Sequence, residues 1–335
     1  MFIASVGIFV FGLIAAVGGG WLGAAIGGNF AFALTGFAVL VSWGLLAGTG
    51  STAGFDYVAF GPFMGPHIAF AGGVAAAAYA YKKGYIPDGR DVSGPLARLG
   101  RPSVMWVGSA FGVGAYLLQI LISQIPGFGT RTDSVALVVV ISGITARLMF
   151  GGGSLLNRET MNNARGLMAR IAPNKHGSWL RYQETPSQYL SMGAAFGIAA
   201  GGLSIALAQY FPAGASVAHT MGFGFSALIV LFLILGHEMP VQHHVTITAG
   251  LAAVLFLPIL AGDSFEWGAE WTSAMWLVAA GALLTAALVG MFAAFLAEFQ
   301  SQLIHQRGTT HIDPPAMSIW IGNTSVVGVA ALFGG

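Results

Sequence analysis

The chain has 335 residues, of which 56% are hydrophobic and 7% charged, with a mean hydropathy of +0.77. Soluble proteins carry about 25% charged residues, so the composition predicts an all-α polytopic membrane protein. A net charge of +1 without basic clusters interleaved with aromatics excludes nucleic acid as a partner, and the absence of cysteine excludes disulfides, thiolate metal centres and cysteine nucleophiles.

A spanning helix needs about 20 mostly apolar residues. The first such run, 2–26, lacks a basic leader and is too long for a signal peptide, so it is read as helix 1. A tight Gly27-Gly28-Asn29 turn leads into helix 2, 29–49. The next stretch, 50–66, is apolar but rich in Gly and Pro, and helix 3, 67–81, meets Lys82-Lys83 after only a short apolar run. At 1.5 Å per residue that run covers about 22 Å of a ~30 Å hydrocarbon core. The missing length is expected from 50–66, dipping in as re-entrant or broken-helix backbone, which survives at that depth only when buried in protein or lining a wet cavity.

A polar loop, 82–102, precedes helix 4 (103–124) and helix 5 (134–150). The longest polar segment, 151–187, follows and contains a candidate amphipathic surface helix at 157–171. Helices 6 to 10 are placed at 188–209, 217–236, 243–261, 272–297 and 315–333. About ten helices thus divide into a first five-helix membrane unit, 1–150, a linker, 151–187, and a second five-helix unit, 188–335.

The two units echo each other. Gly61-Pro62-Phe63-Met64-Gly65-Pro66-His67 leads into helix 3, as Gly236-His237-Glu238-Met239-Pro240 and His243-His244 lead into helix 8. Aligning His67 with His244 also aligns Gly73 with Gly250 and Ala75-Ala76 with Ala252-Ala253. Asp133 before helix 5 and Asp313 before helix 10 stand where N-caps belong, the latter followed by Pro314-Pro315. Helix breaks are expected at Gly61, Gly65, Pro66 and Pro240, where glycine permits sharp turns and proline withholds an N–H.

Charge supplies orientation. If loops 82–102, 151–187 and 9–10 face the cytoplasm, 12 of the 13 basic residues are inside and only Arg131 is outside. The N-terminus and the acidic 8–9 loop then lie outside, in a cytoplasmic (inner) membrane. An odd number of helices per unit inverts the second relative to the first, an architecture shared by many transporters and channels, with the site at the repeat interface near the midplane.

His67 and His244 are therefore expected to approach a shared interior from opposite faces, joined by His243, Glu238, Asp133 and Asp313 in binding or gating a small polar or anionic solute. Helix N-termini aimed at that interior favour negative or polar ligands. The competing bland roles are headgroup-level capping for the histidines and helix capping for the two aspartates. A metal ion held by His237, Glu238, His243 and His244 is an alternative, although the spacing is not the HExxH that sets two imidazoles on one helical face; a scaffold or lipid-handling subunit is another. No catalytic motif points to an enzyme. Small-residue spacings such as Gly19-x3-Gly23-x3-Gly27 fit close packing within one subunit or homo-oligomerisation. Mid-helix carboxylates are absent from this reading.

Overall fold

The computed structural model describes residues 6–156, 179–262 and 265–334; the candidate surface helix at 157–171 lies outside them. Among the described residues all regular structure is helical, with ten α-helices: α1 (Val6–Ile26), α2 (Gly28–Thr49), α3 (Ala69–Lys82), α4 (Pro102–Ser123), α5 (Ser134–Phe150), α6 (Pro186–Tyr210), α7 (Thr220–Ile234), α8 (His243–Ala261), α9 (Ser273–Gln300) and α10 (Pro314–Leu332). Seven of these, α1, α2, α4, α6, α8, α9 and α10, are long and apolar enough to cross a membrane.

Small residues decide how the helices pack. A Cβ on Gly20 would lie 2.2 Å from the Gly108 carbonyl oxygen, and one on Gly112 would lie 2.6 Å from that of Ala16. Only hydrogen fits at these points, so α1 and α4 cross backbone to backbone. The same crossing recurs between α6 and α9, where Gly290 would meet the Gly193 carbonyl at 2.2 Å and Gly197 that of Ala286 at 2.6 Å. The wider packing recurs as well: α1 touches α3 and α4, and α3 touches α4 and α5; α6 touches α8 and α9, and α8 touches α9 and α10.

Two further antiparallel pairs join the first five helices to the last five. In α2–α7, Trp43 Nε1 donates to Thr220 Oγ1 (3.1 Å), Phe32 meets Phe223 edge-on, and a Cβ on Gly36 would press on the Gly224 carbonyl. In α5–α10, Asn323 Nδ2 donates to Asp133 (2.8 Å), while Gly143 lies against the His311–Ile312 backbone. Each of α5 and α10 thus begins about halfway along the other.

The stretch after α2 is not a plain loop. It forms a π-helical turn, Gly54–Ala59, then a chain of tight turns to Ile68. Met64 to Ile68 are buried, and the Met64 carbonyl accepts a 2.7 Å bond from Thr35 Oγ1 on α2. Thr35 is 14 residues from the Thr49 end of α2, so this backbone lies roughly 21 Å down the helix. Positive φ occurs at Gly236 but not at Gly61 or Gly65. They are needed for space, since a Cβ on Gly61 would strike the Tyr57 carbonyl carbon at 2.3 Å and one on Gly65 the His67 ring at 2.5 Å.

Candidate functional site

A cavity of about 620 Å³ runs between the α2–α7 and α5–α10 pairs. Its wall includes Asn29, at the start of α2, and Phe55, whose ring packs against Trp43 near the far end of the same helix. That separation is roughly 20 Å of helix rise, so the space extends along most of the bundle. Some of its lining residues fall in pairs 177 or 180 positions apart: Pro66 and His243, Phe70 and Ile247, Asp133 and Asp313, Val135 and Pro315, Ala136 and Ala316, Val139 and Ile319.

Both aspartates cap helices, as the sequence suggested. Asp133 accepts from the Ala136 amide (2.9 Å) and from Asn323 Nδ2, and Asp313 accepts from the Ala316 amide (2.7 Å) and from His311 Nε2 (3.0 Å). Each carboxylate offers about four lone-pair sites, so capping leaves acceptor capacity toward the cavity that both line. The caps also place negative charge on the two helix N-termini, offsetting the positive dipole ends that were expected to favour anions.

The histidines divide differently from the expectation. His67 and His244 are fully buried beside the starts of α3 and α8, but neither lines the cavity; their neighbours Pro66 and His243 do. A tight turn after Gly65 and the first turn of α8 rotate the two imidazoles into the helix packing. Both His67 ring nitrogens lack a hydrogen bond within normal geometry, as does Oε1 of Gln119, its polar neighbour on α4. His243 packs its ring 4.5 Å from Phe32, lies within electrostatic range of Asp313, and leaves Nδ1 without a partner.

His237 and Glu238 are exposed while His243 and His244 are buried, so the four do not converge, and no group of three potential ligands gathers around a metal position among the described residues. Pro240 is partly exposed in the non-helical stretch before α8.

Several wall residues escaped the sequence reading. His311 bridges Asp313 and Phe70, which it meets edge-on with ring centres 5.8 Å apart, and His305 meets His311 edge-on at 4.8 Å. Behind them Arg147, fully buried on α5, donates to the carbonyls of Leu155 (2.7 Å), Ile304 (2.8 Å) and Thr310. At the end near Asn29, Arg90 pairs with Asp88 (3.0 Å). Burial pushes the Asp88 carboxyl up, but hydrogen bonds and charge from Arg90 outweigh it and hold it below its ordinary value. A buried carboxylate does exist within a helix: Glu298, near the end of α9, faces the indole N–H of Trp179 at 3.5 Å. Only the His-x-Asp spacing of His311 and Asp313 could have signalled this cluster.

In charge, the described residues of the wall include Asp56, Asp88, Asp91, Asp133 and Asp313 against Arg90. Compared with known proteins, the chain matches a family of unknown function, DUF7973, over residues 3–161 and again over 154–334. No curated protein and no solved structure matches it.

Proposed function

Because the chain belongs to the DUF7973 family, whose description assigns no activity, we propose from the site itself that it is a membrane transporter or channel moving a small polar solute through the central cavity. The observation that carries this reading is the pairwise lining of the cavity by residues about 177–180 positions apart, on α3 and α8 and on α5 and α10. Such pairing is what two five-helix repeats of opposite orientation would produce at their interface. The recurring glycine crossings and the two family matches, over 3–161 and 154–334, support the repeat.

The π-turn and buried turns between α2 and α3 support a broken segment at membrane depth. Backbone freed from a helix there needs partners, and a solute pathway supplies polar surroundings. In this reading the N-terminus is outside, loops 82–102 and 151–187 are cytoplasmic, and the membrane is a cytoplasmic one. Uptake by proteoliposomes of radiolabelled small cations, neutral polar solutes and anions tests it. Flux of one class above protein-free vesicles is expected; correctly folded protein that passes none of them defeats the proposal.

A further inference from the structure

Five side chains from four places in the chain close on one another within the cavity. Asp313 accepts from His311 at 3.0 Å, the His311 ring meets Phe70 at 5.8 Å, Phe70 meets Phe32 at 5.9 Å, Phe32 meets His243 at 4.5 Å, and His243 lies in the electrostatic range of Asp313. We propose that this ring is a binding station for a small organic ammonium ion, a protonated amine carrying a short apolar body. The inference rests on the transport reading for its purpose but not for its chemistry.

Three observations select the ligand. The first is charge: with Arg90 tied to Asp88, no further lysine or arginine among the described lining residues faces the remaining acids, Asp313 among them. An anion would be repelled. The second is hydrogen bonding. In the His311 tautomer whose Nε2 donates to Asp313, Nδ1 is the acceptor, and it has no partner although the residue is only 7% exposed. Nδ1 of His243, on a residue 5% exposed, is likewise without a partner. An ammonium N–H supplies donors to the open lone pairs of Asp313, beside two imidazole acceptors that no described group satisfies.

The third is the wall material. Stripping an inorganic cation of its water requires a cage of oxygens, and Phe32, Phe70, Ile247, Ala316 and Ile319 supply none. A substituted ammonium is weakly hydrated and gains from aromatic rings within about 6 Å. Asp133 lies about 15 Å farther along the passage, level with Asn323 on α10, and forms a second acidic stop.

Binding to the purified full chain in detergent tests the station, with ethylammonium, sodium and propionate as probes at equal ionic strength. Ethylammonium should bind saturably and the other two should not. Asp313→Asn keeps a competent helix cap, since Asn caps as well as Asp, yet removes the charge; ethylammonium affinity should fall at least tenfold with the melting temperature little changed. Phe32→Leu should weaken it several-fold. Tighter binding of propionate, no saturable ethylammonium binding, or a normal affinity in Asp313→Asn overturns the assignment. Intact ethylammonium binding without flux in vesicles would instead defeat transport, and flux of an anion alone would uphold transport while defeating the station.

Discussion

At the scale of single residues, Arg147 shows how a charge is kept in an apolar bundle. Among the described residues its guanidinium bonds to no carboxylate; instead it gathers carbonyls from three separate segments, Leu155, Ile304 and Thr310. Removing it leaves buried acceptors unpaired, at about 1–3 kcal/mol each. Arg147→Met should therefore cost roughly 3 kcal/mol or more, read as a clear drop in the melting temperature of detergent-solubilised protein. Arg147→Lys should recover only part of this, because a point charge cannot span three carbonyls.

The half-exposed Asp88–Arg90 pair is a weaker fastening, worth under about 1 kcal/mol. The folded state holds the Asp88 carboxyl below its ordinary value, so its contribution is complete at neutral pH and fades as pH falls through that lowered value. Melting curves of wild type and Asp88→Asn should differ slightly near pH 7 and converge in acid. These residue-scale contacts were the least legible part of the sequence. Asp133 and Asp313 could be placed because capping is local, within three residues. The pairing of His311 with Phe70, or Arg147 with Ile304, joins segments far apart in the chain, and nothing in their local spacing signals it.

At the scale of elements, the positions and order of the described α-helices were readable from apolar runs, and their ranges fall close to those expected, although seven of the ten are long and apolar enough to cross a membrane. The start of α3 was also readable, from a helix too short for the bilayer. What periodicity could not give was rotation. Whether His67 or Pro66 turns to the cavity depends on the buried turns from Gly61 to Ile68, whose bonds run to α2. Close approach gives a sharp test of the helix crossings. Gly23→Ala would set a Cβ 1.8 Å from the Ala69 carbonyl oxygen and should cost at least the ~1–3 kcal/mol of overpacking. Gly18→Ala, with nothing within 4 Å, should be neutral or stabilising by a few tenths of a kcal/mol. Equal melting temperatures for the two variants would contradict the packing described.

At the scale of the whole molecule, the proposed inverted arrangement makes a claim about sides. Asp56 and Asp91 both line the cavity, both are exposed, and they stand near opposite ends of α2. The chain has no cysteine, so single-cysteine variants at each position can be labelled without background. In intact cells, Asp56→Cys should react with a membrane-impermeant maleimide and Asp91→Cys only after permeabilisation; labelling of both from one side would refute the orientation.

The glycine crossings have a mechanical consequence for such a molecule. Where Gly20, Gly72 and Gly108 meet, backbone touches backbone, with no rotamers to exchange and no gap for water. That seam should behave as a stiff keel, its amides among the last to take up deuterium, while the corresponding seam of Gly193, Gly197 and Gly290 stiffens the other five helices.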